Sequence, residues 1–195
     1  MIPTLPLRLR NRLAEMILRA LHDPAAQRQL ERLAADPATA ERWLEDAERE
    51  HEPLLRSRAR RASEALAGRP PIAAEPSLDE AFAAAATLFD AGLHFEVHEL
   101  LEPHWVRAGG REREVLQGLI QIAVGYQHFA NGNLQGAGAL LADGTHRLRA
   151  GGLPGFDLSI FAAAVADTIP CLTEDPPPTV PLFPRRSLTH CKTST

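Results

Sequence analysis

Residues 94–105 read His-Phe-Glu-Val-His-Glu-Leu-Leu-Glu-Pro-His-Trp and hold three of the chain's eight histidines. Positions four apart lie on one face of an α-helix, so His94, His98 and Glu102 form a single polar stripe that ends near Trp105. No other stretch of this length combines three histidines with three glutamates. We therefore expect a helix here, and we expect the functional site of the protein to lie on it.

Helical signals also dominate the rest of the sequence. An apolar side chain recurs every fourth residue from Leu9 to Leu21, which is the spacing of an amphipathic helix. The Asp-Pro dipeptides at 23–24 and 36–37 each place an N-cap acid before a proline at the first helical position. No segment alternates polar and apolar residues for long enough to indicate a strand. The sequence predicts an all-α fold, a compact helical bundle.

The distribution of glycine and proline divides the chain into four parts. Residues 1–67 form an N-terminal helical region of no recognised family, and residues 68–76 read as a linker rich in proline. Residues 77–172 open with a serine–glutamate capping box and carry the strongest helical patterns. Residues 173–195 contain repeated prolines, so we expect a disordered tail that buries little surface.

The predicted helix over residues 94–108 turns part of its polar stripe toward the protein interior. His98 and Glu102 fall inside its apolar sector, whereas Glu96 faces outward. Burying an unpaired carboxylate costs several kcal/mol, so Glu102 needs a partner.

The next predicted helix supplies candidate partners. It is apolar around most of its circumference, and its narrow polar stripe carries Gln117, Gln121 and His128. A short glycine-containing connection makes the two helices antiparallel neighbours. This hairpin places the two glutamines level with Glu102 and His98, respectively. The sequence therefore predicts a polar cluster between the two central helices.

Two motifs, one in each central helix, carry a family resemblance. They are Phe89-x-x-Gly92-x-x-Phe95-Glu96-x-His98-Glu99-x-x-Glu102-x-x-Trp105 and Leu116-Gln117-Gly118-Leu119-Ile120-Gln121 followed by Tyr126-x-His128. With them, roughly residues 78–150 resemble the domain of unknown function 309 family. The resemblance implies a small all-helical bundle and no assigned activity. It does not reach residues 1–75.

One interpretation of the cluster is a metal site. The string His98-Glu99-x-x-Glu102 is a variant of the HExxH zinc motif, with glutamate in place of the second histidine. His98 and Glu102 would bind the metal, and Glu99 would polarise a bound water. His94 or His128 would be the third ligand. This alternative predicts a metal-dependent hydrolase.

A second interpretation, which we favour, is a pocket for a small molecule or a partner protein, formed where polar groups converge between helices. If proton transfer occurs there, His98, Glu99 and Glu102 are the catalytic candidates. A third alternative is a helical-hairpin interaction module whose polar network is purely structural. The sequence identifies no cofactor. The candidate ligand-binding residues are Glu96, His98, Glu99, Glu102, Trp105, Gln117, Gln121, Tyr126 and His128.

Composition narrows the class of protein. A net charge of −4 argues against a nucleic-acid partner. The apolar runs are too short to span a bilayer, which argues against a membrane partner. Cys171 and Cys191 do not form a metal-type or redox motif, so we expect a reduced cytoplasmic protein. Arginine supplies almost all of the 21 basic residues, a bias typical of a high-GC bacterial genome.

Overall fold

The computed structural model describes residues 4–149 and 152–186, and these residues fold into helices with no β-sheet, which confirms the all-α prediction. Two short 3₁₀ turns and one isolated bridge are the other regular features in these ranges. None of the helices described is both long and apolar enough to cross a bilayer. The helices are α1 (Leu7–Ala20), α2 (Pro24–Ala35), α3 (Pro37–Trp43), α4 (Glu52–Leu66), α5 (Leu78–Asp90), α6 (His94–Arg107), α7 (Gly110–Ala130), α8 (Leu134–Arg149) and α9 (Leu158–Thr168).

The N-terminal helices begin where the sequence signals predict. The Asp23 carboxylate accepts a hydrogen bond from the backbone N–H of Ala25 at 2.7 Å and caps α2. The Asp36 carboxylate accepts from Ala38 and Thr39, both at 3.1 Å, and caps α3. The apolar side chains at every fourth position of α1 are buried. Capping and burial together fix the ends and the inward face of these helices.

The predicted linker lies in the helix-free stretch 67–77, and it is attached to the helices on both sides. The backbone N–H of Ile72 donates to the carbonyl of Leu21 at 2.9 Å, where α1 ends. The Arg69 guanidinium donates to the carbonyl of Ala83 in α5 at 3.1 Å. These hydrogen bonds hold the linker against the end of α1 and against α5.

The N-terminal helices share one hydrophobic core with the bundle. Leu13 and Ile17 of α1 belong to the same buried cluster as Val97 and Leu101 of α6. Helix α1 contacts α6, and α4 contacts α5. As a result α6 is packed against α7, α5 and α1, and not only against its hairpin partner.

Glycines allow α7 and α8 to approach closely. A Cβ added to Gly144 would lie 2.7 Å from the carbonyl oxygen of Gly118 and 2.7 Å from Cγ1 of Ile122. A Cβ on Gly125 would lie 2.9 Å from the side chain of Leu141. Gly118 and Gly125 of α7 thus admit a close neighbour, and that neighbour is α8.

The tail prediction needs a correction. Residues 173–186, which follow α9 and its 3₁₀ turn, contain no helix, as predicted. The last part of this segment nevertheless packs on the bundle. The Phe183 side chain is 2% exposed, and its backbone N–H donates to Oδ1 of Asp90 at 2.8 Å. Arg185 pairs with the same carboxylate at 2.5 Å. Residues 187–195, including Cys191, lie outside the described residues. The rings of Phe82, Phe89 and Phe161 surround Phe183, with centroids between 5.3 and 6.1 Å away.

Candidate binding site on helix α6

His98, Glu99 and Glu102 form a cluster on the partly exposed face of α6. Nδ1 of His98 lies 3.0 Å from Oε1 of Glu99, and Nε2 of His98 lies 4.0 Å from Oε2 of Glu102. The sharing of one face by His98 and Glu102 follows from their spacing of four residues. The expected burial of Glu102 is wrong, because its side chain is 48% exposed. Because water solvates the exposed carboxylate, Glu102 does not need a hydrogen-bond partner from α7.

The donor atoms of this cluster suit a divalent cation. One imidazole nitrogen and two carboxylate oxygens lie within 4.8 Å of one another. Zinc takes nitrogen and oxygen ligands at about 2.0–2.2 Å, which puts neighbouring ligand atoms roughly 3–4 Å apart. Small rotamer changes would bring the three donor atoms to this spacing. Three protein ligands leave a coordination position open for water or a substrate.

A cleft of about 410 Å³ opens beside the cluster, between α1, the linker and α6. Glu99 belongs to both features, because its carboxylate contacts His98 and its side chain lines the cleft. The cleft has a mainly apolar surface, and charged residues are also among those that line it. Its lining residues are Glu15, Leu18, Arg19, Leu21, His22, Ile72–Pro76, Glu99, Leu100, Pro103, His104 and Arg107.

Glu96 faces the protein interior, which corrects the prediction that it faces outward. Its side chain is 0% exposed, and the Arg58 guanidinium of α4 lies 3.5 Å from its Oε2. Burial raises the pKa of Glu96, while Arg58 and Arg10 act in the opposite direction. The N-terminal helices cover this face, so a carboxylate that would be exposed on an isolated hairpin is buried here.

His94 adjoins the same interior cluster and is almost fully buried. Its ring lies 4.9 Å from the Phe89 ring and 5.7 Å from the Tyr126 ring, measured between centroids. Burial, reinforced by Arg58 and Arg61, lowers the pKa of His94 to about 4. The imidazole is therefore neutral at pH 7. Its aromatic surroundings place it away from the His98 cluster, so the cluster of possible metal ligands in the described residues does not include it.

The polar residues predicted on α7 contact other elements than α6. The side-chain oxygen of Gln121 accepts a hydrogen bond from Arg147 of α8 at 3.0 Å, so the expected pairing with His98 is wrong. The Tyr126 hydroxyl bonds Thr168 of α9 at 2.9 Å, and burial raises its pKa to about 12. Gln121 therefore faces α8, and Tyr126 faces α9.

Three further candidates also stand apart from the cluster. His128 bonds Asn133 at 2.8 Å in the turn that follows α7, which leaves it outside the set of possible metal ligands. Trp105 packs against Arg113, whose guanidinium carbon lies 4.2 Å from the ring centroid. Gln117 is half-buried. Of the predicted site residues, the structure brings together His98, Glu99 and Glu102.

Sequence reasoning missed the far wall of the cleft and the arginine that meets Glu96. Both come from residues 1–76, where the motifs of the bundle region give no guidance. One signal was present, because four arginines between 56 and 61 lie on a single predicted helix. Of these, Arg58 turns inward toward Glu96, whereas Arg60 is exposed to solvent.

The fold and the site define an all-helical protein with a cleft between its N-terminal helices and a motif-bearing central helix. The family described as "Domain of unknown function (DUF309)" matches residues 82–140, which confirms the resemblance over this segment. No curated protein and no solved structure matches the chain. The matched segment contains His98, Glu99 and Glu102, whereas α1 and the linker lie outside it.

Proposed function

We propose that the protein is a binding module for a small molecule that occupies the cleft between α1, the linker and α6. The observation that carries this proposal is the cleft of about 410 Å³, with mainly apolar walls and the motif residue Glu99 in its lining. Pockets for small molecules usually have volumes of roughly 300–1,000 Å³ and combine apolar walls with a few polar groups.

The fixed geometry of the walls supports the proposal. Ile72 hydrogen-bonds to Leu21, which holds the linker against α1, and Leu100 forms part of the α6 wall. A cleft built from fixed segments needs little ordering when a ligand binds, so more of the contact energy appears as affinity.

A fragment screen by ligand-observed NMR tests the proposal. Leu100→Trp places a large side chain in the cleft, and Ile160→Trp introduces the same residue on α9, where the native side chain is 71% exposed. Fragments that bind the parent protein should bind Ile160→Trp equally and lose binding to Leu100→Trp. If every detected fragment binds Leu100→Trp as well as the parent, the cleft is not the ligand site.

A second candidate function is divalent metal binding at His98, Glu99 and Glu102, with a metal-dependent hydrolase as the corresponding activity. The supporting observation is the set of three donor atoms within 4.8 Å. A bound zinc ion would lower the pKa of a coordinated water to about 7, which gives a nucleophile at neutral pH.

Titration calorimetry with ZnCl₂ and MnCl₂ on untagged, chelator-stripped protein tests the metal proposal. We expect one ion to bind per chain, with loss of binding in His98→Ala and Glu102→Gln. His146→Ala removes an exposed histidine of α8 and is the matched control. Unchanged binding in His98→Ala would exclude this cluster as the metal site.

We also propose that the protein is bacterial and cytoplasmic. The half-buried free thiol of Cys171 fits a reducing cytoplasm, and the arginine-rich composition fits a bacterial source. The net charge of −4 favours a small molecule or a protein over nucleic acid as the partner.

A further inference from the structure

The charges around the cleft are unequal. Carboxylates of Glu15, Glu75 and Glu99 line it. Of the two lining arginines, Arg19 lies 3.6 Å from Asp23 and donates to Gln29, so its charge is already matched. The remaining lining arginine is Arg107. The lining of the cleft therefore carries an excess of negative charge.

The histidine beside Arg107 adds no positive charge at neutral pH. Burial lowers the pKa of His104, and Arg107 lowers it further. The carboxylates of Glu99 and the adjoining Glu102 both lie close to His98. The α6 motif therefore contributes negative charge beside the cleft.

We infer that the ligand of the cleft is an organic cation, a compound with a compact apolar body and a protonated amine. This inference rests on the proposed function, since it names the ligand class of the same cleft. The apolar body contacts Leu18, Leu21, Ile72 and Leu100. The amine donates to the carboxylate of Glu99.

The physical basis is the low polarity of the walls. A charge-assisted hydrogen bond between an ammonium group and a carboxylate is about twice as strong as a neutral one. Apolar walls exclude water from one side of the contact and strengthen it further. A ligand with a carboxylate in the same place meets like charges from Glu15 and Glu99, so the cleft rejects it by repulsion.

Two compounds with the same apolar cage test the sign of the charge. Adamantylamine is protonated at pH 7, and adamantane carboxylate is ionised, so they differ in charge and hardly in shape. We expect calorimetry on the full chain to show at least about tenfold tighter binding of the amine, a difference of about 1.4 kcal/mol. Chemical-shift changes should include Leu100 and Ile72.

Variants assign the preference to particular carboxylates. Glu99→Gln and Glu15→Gln should each weaken amine binding several-fold and reduce its preference over the carboxylate. Glu31→Gln, an exposed carboxylate of α2 outside the cleft, is the control and should bind like the parent. Circular dichroism confirms that each variant is folded. Unchanged amine binding in both cleft variants overturns the inference.

The compounds also separate this inference from the proposed function. If the carboxylate binds in the cleft as tightly as the amine, the inference fails and the cleft remains a binding site. If neither compound binds and no fragment binds in the NMR screen, both proposals fail. If added ZnCl₂ reverses the preference, the cluster acts as a metal site and the organic cation is the wrong ligand class.

Discussion

Arg58 Nη2 lies 3.5 Å from Oε2 of Glu96, although the two residues belong to helices on opposite sides of the linker. Glu96 is completely buried, and the Arg58 side chain is 16% exposed. Neither carboxylate oxygen of Glu96 has a hydrogen-bond partner among the described residues. The pair is thus a buried contact between the N-terminal helices and the bundle, and its energetics depend on both members being present.

Removal of Arg58 alone should be strongly destabilising. Arg58→Met leaves the buried Glu96 without its counter-charge, and we expect the free energy of unfolding in urea to fall by roughly 3–5 kcal/mol. Arg60→Met removes an exposed arginine of the same helix and should change stability by less than about 0.5 kcal/mol. The double variant Arg58→Met/Glu96→Leu should recover most of the loss. Equal losses in the single and double variants would mean that the pair is not coupled.

His94 should make the protein less stable in acid. Its pKa is lowered to about 4 from an ordinary 6.5, so the unfolded chain takes up a proton at a higher pH than the folded chain does. The stabilising contribution is present above pH 6.5 and is lost as the pH falls toward 4, by roughly 3 kcal/mol in total.

His94→Phe isolates this contribution, because phenylalanine keeps the aromatic contacts and does not titrate. We expect a smaller stability loss between pH 7 and pH 4.5 in the variant than in the parent, measured by urea unfolding. Glu96 acts with the opposite sign, since its raised pKa favours the folded state as the pH falls. The comparison therefore uses the difference between the two proteins. Identical pH profiles would mean that the pKa of His94 is the same in the folded and the unfolded chain.

The C-terminal segment should contribute to stability through one side chain. Phe183→Ala removes a buried ring from the aromatic cluster, and we expect a loss of roughly 3 kcal/mol in urea unfolding. Leu182→Ala is the matched control, because the neighbouring Leu182 is 69% exposed. A loss below about 0.5 kcal/mol in Phe183→Ala would restore the prediction of a tail that buries little.

Glycine substitutions on α8 should have opposite signs at two positions. In Gly144→Ala the new methyl group would meet the backbone of α7 at 2.7 Å, and we expect destabilisation of about 1–3 kcal/mol. In Gly138→Ala the nearest atom lies 3.9 Å away, so the better helix propensity of alanine should stabilise by up to about 1 kcal/mol. Thermal unfolding of both variants checks this pair, and equal effects would contradict the close approach of α7 and α8.

Local signals predicted the secondary structure well, because caps and apolar spacing act within a few residues. Asp23 and Asp36 cap the helices that follow them, and the capping box of Ser77 and Glu80 is formed. The prediction of which face is buried failed on α6. It rested on the apolar sector of that helix, which predicted Glu96 outside and Glu102 inside, whereas the N-terminal helices cover the face that carries Glu96.

The site was only partly predictable for the same reason. The spacing of His98, Glu99 and Glu102 within one helix places them together whatever surrounds the helix. Contacts such as Arg58 with Glu96 join positions far apart in sequence, and no periodicity reports them. The fixed position of Phe183 was missed because proline-rich composition describes backbone preference and not the burial of one aromatic ring.

The linker joins two parts of the molecule and also forms one wall of the cleft. A ligand in the cleft should therefore change how accessible this segment is to proteases. A compound held between α1 and α6 would have to leave before the chain at Ala73–Glu75 could enter a protease active site. If a ligand binds in the cleft as we propose, the rate of cleavage there should fall as its concentration rises, and this measurement does not require the identity of the ligand.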